Sequence, residues 1–112
     1  MKRGEIWKVN LDPTLGAEIK KTRPCVIVSR DALGALPLKI IVPITAWKDI
    51  FSRAPWQVAL APSSRNGLTK RSSADSFQVR SIAQIRLIEK LGEVTDEEMQ
   101  KIEEGLKICL DL

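Results

Sequence analysis

Histidine is absent from this 112-residue chain. Its absence excludes every Ser-His-Asp or Cys-His nucleophile and any proton shuttle built on imidazoles. Zinc sites that use His go with it, and two cysteines cannot make a four-cysteine site. Catalysis would fall to carboxylates, Arg, Lys, Cys or hydroxyls. Cysteine is also scarce. Cys25 and Cys109 each lie in an apolar segment, and they read as small buried hydrophobes in a reducing compartment rather than as a disulfide. Long apolar runs are missing too. The longest uninterrupted one, residues 40–44, is far too short to span a bilayer. Met1-Lys-Arg-Gly-Glu5 leads into no apolar stretch, so no signal peptide is expected and a cytoplasmic location is.

What is present reads as an ordinary folded protein, 44% hydrophobic and 29% charged, with one domain expected over residues 1–112. The net charge of +4 hides a split. Residues 1–90 carry 16 basic and 7 acidic side chains, and residues 91–112 carry 2 and 7. A basic body with an acidic tail suits an anionic partner, nucleic acid first, or serves only as a solubilising surface.

Residues 6–11 alternate and read as a first strand, which Asp12-Pro13 breaks. The runs 24–28 and 38–44 are nearly continuous in apolar residues, as strands buried on both faces are. Pro43 inside the second run suggests a bulge or a strand end. Residues 57–60, 74–79 and 82–91 supply further strand candidates, and 62–73 is rich in turn residues. Thr95-Asp-Glu-Glu98 forms a capping box ahead of Met99, Ile102, Leu106 and Leu110 at helical spacing. Short strands followed by one terminal helix predict a mainly β, α+β fold: a small curled antiparallel sheet or barrel closed by an α-helix.

The segment Gly16-Ala-Glu-Ile-Lys-Lys-Thr-Arg-Pro-Cys25 is the most informative. Pro24 restricts Arg23 to extended conformations, so the guanidinium sits on a rigid base at the start of a buried strand. The bland alternative is a surface ion pair between Arg23 and Glu18, worth about 0–1 kcal/mol.

Four stretches together resemble one family. They are Arg3-Gly-Glu-Ile-Trp7; Gly16-x-Glu18-x-x-x-x-Arg23-Pro24; Ile41-Val-Pro-Ile-Thr45; and Asp75-Ser-Phe-Gln-Val-Arg-Ser-Ile82. In order and spacing they resemble the MazF/PemK/Kid toxin endoribonucleases of type II toxin–antitoxin modules. The resemblance implies an SH3-like barrel with a C-terminal helix, shared with the gyrase-binding toxin CcdB, and a homodimer. It implies cleavage of single-stranded RNA with no metal and no other cofactor, the RNA's own 2′-hydroxyl attacking the adjacent phosphate. A cognate antitoxin protein is the implied partner, and a membrane is not. By the same resemblance Arg23 and Thr45 are catalytic, with Glu18 as a supporting carboxylate and Asp75 as a second candidate.

The physical roles fit. Arg23 suits charge building on a pentacoordinate phosphorus, and its planar fork suits phosphate oxygens. Thr45 suits a hydrogen bond to the same phosphate. Glu18 suits accepting the 2′-hydroxyl proton or orienting Arg23. Trp47 suits base stacking or a fold over the sheet end. Lys20, Lys21, Lys48, Arg53, Arg65, Lys70 and Arg71 suit the phosphodiester backbone as a group, each alone being equally a solvated charge. Trp7 reads as core or interface, and Gln78 and Arg80 as structural or interfacial. A gyrase-binding toxin and an RNA-binding barrel without turnover are the competing readings.

Overall fold

The computed structural model describes residues 1–112. Its centre is the pair β2 (Thr22–Ile27) and β3 (Leu38–Ala46), antiparallel with Cys25 opposite Pro43 and Ile27 opposite Ile41. Over residues 25–28 and 41–44 their runs do not alternate because both faces are covered. Val26, Val42 and Ile44 join a core with Ile6, Val58, Leu60, Ala74, Met99 and Ile102. Cys25, Ile27 and Ile41 turn the other way, onto Val9, Leu11, Ile82 and Leu87.

The remaining strands are β1 (Glu5–Asn10), β4 (Gln57–Leu60), β5 (Ser72–Asp75), β6 (Arg80–Ala83) and β7 (Leu87–Glu93). The order across the sheet is β4-β5-β3-β2-β1-β7, every pairing antiparallel, with β6 also beside β3. β3 therefore serves two partners along one edge. Leu38 to Ile41 pair with β6, and Ile44 to Ala46 pair with β5.

Pro43 neither ends β3 nor bulges it, since the strand runs on to Ala46. The Ile40 carbonyl accepts the Val28 N–H across to β2. By the alternation of an antiparallel ladder, Pro43 turns its nitrogen the other way, into the gap between β6 and β5 where no ladder donor is needed.

The barrel stays open, because end strands β4 and β7 do not pair. The chain leaving β4 crosses that gap as a turn. Arg65 accepts the Glu93 N–H (3.0 Å), and Gly92 lies so close that a Cβ there would be 2.2 Å from the Arg65 oxygen. Asn66, 2% exposed, organises this turn: its Oδ1 accepts the Ser63 and Leu68 amides and its Nδ2 donates to Ala61.

Two expected strands are cut by 3₁₀ turns. The candidate over 74–79 stops at Asp75, whose carboxylate accepts the Phe77 N–H (3.1 Å) and caps a turn over Ser76–Gln78, a local bond that competes with the ladder. The candidate over 82–91 is broken at Gln84–Arg86, leaving Ile85 91% exposed. There the Arg86 guanidinium holds the Asn10 and Asp12 carbonyls.

Helix α1 (Asp96–Leu110) has the expected capping box. Glu98 N–H donates to Thr95 Oγ1 (3.1 Å), and Thr95 N–H to Glu98 Oε1 (2.8 Å). Its buried stripe is Met99, Ile102 and Gly105, with Leu106 half-buried and Leu110 exposed. Gly105 is the point of closest approach, where a Cβ would meet Ser76 Oγ at 2.6 Å. Both cysteines are free: Cys25 is buried and Cys109 half-buried. No helix is long and apolar enough to cross a membrane.

Candidate functional site

The face that carries the second core turns polar toward one end of the sheet. Arg23 lies two residues before Cys25 on that face, and the register that sets Cys25 opposite Pro43 brings Arg23 beside Thr45 when continued by two residues. Thr45 lies opposite Ser73, and Gln57 opposite Asp75. Alternation puts Ser73 and Asp75 on the same face as Thr45, because Ile44 and Ala74 point into the first core.

Two clefts meet at Arg23 and Thr45. One continues along Leu68, Thr69 and Lys70. The other, about 380 Å³ and so within the range of small-ligand sites, holds Lys48, Gln57, Asp75 and Gln78. Arg23 donates from Nε to the Lys20 carbonyl (3.2 Å), which fixes the guanidinium while both terminal nitrogens stay without a partner in the chain. The alternative ion pair with Glu18 does not form: Arg23 has no carboxylate within 4.0 Å. Thr45 Oγ1 likewise bonds nothing within the chain. A fixed guanidinium edge beside a free hydroxyl is an anion-binding arrangement.

The two carboxylates are placed differently. Glu18 is exposed on the loop between β1 and β2, its Oε1 accepting the Leu15 N–H (3.3 Å), and it lines a neighbouring cleft with Phe77, Gln78 and Arg80. Asp75, 8% exposed, lines the Arg23–Thr45 cleft itself. Gln78 ties the two regions together. Its Oε1 accepts the Ile19 N–H (2.6 Å) and its Nε2 donates to the Ala17 carbonyl (3.3 Å), gripping the backbone on both sides of Glu18.

The basic residues divide. Lys48 and Lys70 line the clefts. Arg71 lies over the Trp47 ring, 4.6 Å from its centroid, and Phe51 meets the same ring edge-on at 5.8 Å. Trp47 is thus held, half-buried, between Arg71 and Phe51, next in the chain to Ala46 and Lys48 of the cleft. Lys20 and Lys21 are exposed on the loop before Arg23, and Lys21 takes a left-handed backbone (φ 69°) secured by its N–H to Asp12 Oδ1. Arg53 is exposed at the end of the 3₁₀ turn Asp49–Arg53. Arg65 stands apart, in a hollow with Asp31, Glu93 and Asp96.

Trp7 edges the second core and donates to Glu5 (2.9 Å), while Trp56 lies against Phe77 at 6.2 Å. No three His, Cys, Asp or Glu side chains stand together to hold a metal ion. Sequence reading missed Gln57 and Ser73. Gln57 is the one polar residue of a four-residue strand and Ser73 one of three in its own, and only the β4–β5 register brings them together.

Residues 2–110 match the family model of the PemK-like, MazF-like toxins of type II toxin–antitoxin systems. The endoribonuclease MazF9 of Mycobacterium tuberculosis is 39% identical over 118 residues, covering 100% of this chain and 98% of that protein. EndoA of Bacillus subtilis is 31% identical over 113 residues, covering 100% and 96%. A mycobacterial endoribonuclease solved with its cognate antitoxin superposes with a TM-score of 0.78 at 26% identity, covering 100% of this chain and 96% of that one. MazF from Deinococcus radiodurans gives 0.83 at 22% identity, covering 100% and 97%, and speaks for the fold. With full-length matches at these identities, this chain belongs to the PemK-like, MazF-like toxin family of type II toxin–antitoxin systems.

Proposed function

We propose that this chain is a toxin endoribonuclease that cuts single-stranded RNA at the cleft shared by Arg23 and Thr45. The observation that carries the reading is the Arg23 guanidinium, fixed through Nε and free at both terminal nitrogens, next to the free Thr45 hydroxyl.

The RNA's 2′-oxygen attacks the neighbouring phosphorus as the bond to the 5′-oxygen breaks, leaving a 2′,3′-cyclic phosphate and a 5′-hydroxyl. A carboxylate takes the 2′-hydroxyl proton, and the departing 5′-oxygen takes up a proton from solvent water. Arg23 meets the charge that grows on the non-bridging oxygens, where preorganised donors contribute most. Thr45 donates to the same phosphate. Of the two carboxylates, Asp75 shares the cleft with Arg23 and Thr45, which supports it as the proton acceptor. Glu18, gripped by Gln78 on the adjoining loop, is then placed to position that loop over the RNA.

Lys48, Lys70 and the Trp47–Arg71 stack form the rim on which backbone and bases would lie. The partner is a cognate antitoxin, as in the mycobacterial complex, with an acidic segment that covers the basic cleft. We read its action as cytoplasmic, where its mRNA substrate would lie, and two unpaired cysteines suit that reducing compartment. A homodimer is the working assembly, and exposed Leu38, Ile40 and Ile88 supply apolar surface for a second copy to cover. Sedimentation at micromolar concentration tests that assembly.

The test of activity is incubation of the pure protein with single-stranded RNA in EDTA, followed by analysis of the ends. Cyclic phosphate at the 3′ side is expected. Arg23→Ala and Thr45→Ala should both lose cleavage while staying folded. Undiminished cleavage in both would overturn the site.

A further inference from the structure

Gln57 occupies a position that the catalytic reading does not use. It lines the Arg23–Thr45 cleft from β4, across from Asp75. Its Oε1 accepts a 2.6 Å hydrogen bond from Ser73 Oγ. Ser73 is fully buried and its hydroxyl has no other hydrogen-bond partner. Turned the other way, the Gln57 amide would leave the Ser73 hydroxyl hydrogen buried without an acceptor, which native structures avoid. The amide orientation is therefore fixed. Its oxygen is committed inward, and its NH₂ group, which bonds nothing within the chain, is left for the cleft.

We infer that Gln57 reads a base of the RNA as a donor-only group, favouring a nucleobase that turns a carbonyl oxygen into the cleft over one that turns an amino group there. The inference rests on the RNA-cleaving reading above and adds to it the chemistry of the selected base. An unrestrained glutamine offers both a donor and an acceptor, and so matches the amino and ring-nitrogen edge of adenine. With the oxygen tied to Ser73 that match is lost. On the edge at pyrimidine C4 or purine C6, uracil and guanine present a keto oxygen to the free N–H groups, while cytosine and adenine present an amino group that meets only donors. Because Gln57 shares a cleft with Arg23 and Thr45, the base it reads flanks the cleaved bond. Ser73 acts through Gln57 and is a positioning residue.

The test maps cleavage ends on a random-sequence single-stranded RNA pool for the wild type, Gln57→Ala, Gln57→Glu and Ser73→Ala. The wild type should favour uracil or guanine at one flanking position by about ten-fold, the scale of one well-placed contact. Gln57→Ala should flatten that preference. Gln57→Glu, which puts an acceptor where the donor was, should shift it toward adenine or cytosine. Ser73→Ala keeps the glutamine but frees its orientation, so the preference should narrow without any change in the catalytic groups. Variants that cut with the wild-type base profile, whatever their rates, would overturn the inference, as would a wild-type preference for adenine or cytosine at every flanking position. A wild type that does not cut RNA at all would overturn the function reading as well.

Discussion

Placing a methyl group on Gly105 sets two effects of opposite sign against each other. Alanine in a helix interior is favoured over glycine by about 1 kcal/mol. Here, however, the new Cβ would lie 2.6 Å from Ser76 Oγ, 3.1 Å from Ser76 Cβ and 3.3 Å from the Trp56 carbonyl oxygen. Ser76 is fully buried, so its hydroxyl has little space to yield, and overpacking of this kind costs about 1–3 kcal/mol. The contact wins. Gly105→Ala should destabilise the protein by up to about 2 kcal/mol, and at an m-value of about 2 kcal/mol/M the urea midpoint should fall by up to about 1 M.

Ser76 supplies the control. Its hydroxyl is the one buried side-chain polar atom with no hydrogen-bond partner. Removing it in Ser76→Ala should stabilise by about 1 kcal/mol. In that background the 2.6 Å contact is gone, and Gly105→Ala should be close to neutral. The double-mutant cycle should therefore show a coupling of about 1–2 kcal/mol, read by urea unfolding followed by circular dichroism. An equal fall in midpoint for Gly105→Ala in both backgrounds would refute the assignment of its cost to Ser76.

Other substitutions probe the site and its surroundings. Arg23→Lys keeps the charge but loses the fork, and RNA cleavage should fall by about 10²-fold, the scale of one lost donor at a developing oxyanion; single-turnover assays check it. Asp75→Asn should slow the same step more than Glu18→Gln does, and the reverse order would reassign the proton acceptor. Glu5 tests the acid limb of stability. Partial burial pushes its carboxyl up, but bonds from the Trp7 indole, the Lys2 amide and Lys90, with the N-terminal ammonium, outweigh that and hold it at about 2. A depressed carboxyl stabilises the fold above its ordinary value near 4.5 and loses that effect as pH falls toward 2. Glu5→Gln should thus be less stable than the wild type at pH 7 and converge with it near pH 2 by thermal melting. Burial pushes the Cys25 thiol up to about 12, so a thiol reagent should modify half-buried Cys109 in the folded protein and Cys25 only after unfolding.

Much of this architecture is readable along the chain. β2 and β3 show as nearly continuous apolar runs because both faces are buried over residues 25–28 and 41–44, and α1 shows because its cap and its stripe are local patterns. The turns at Ser76–Gln78 and Gln84–Arg86 are not readable by periodicity. Each is stabilised by a side chain, Asp75 bonding its own neighbour and Arg86 reaching back to Asn10 and Asp12. At the site, Arg23 stands out by its Pro24 neighbour, and Thr45 by the resemblance of its stretch. Arg65 looks like any other basic loop residue, yet the turn at Asn66 carries it to Asp31 and Asp96. The pairing of Gln57 with Ser73 spans 16 residues and depends on strand register alone, which no local pattern records.

The sheet order carries a consequence of its own. Arg23 and Thr45 sit on the two central strands, held from both sides, while Gln57 sits on β4, the last strand at one end. End strands open at lower free-energy cost than central ones. On the roles proposed above, cutting by Arg23 and Thr45 and choosing by Gln57 rest on strands of different rigidity. As temperature or denaturant rises, base preference should fade before cleavage does, and mutations that loosen β4 should broaden the targets more than they slow cutting, the slowing coming through Asp75 opposite Gln57.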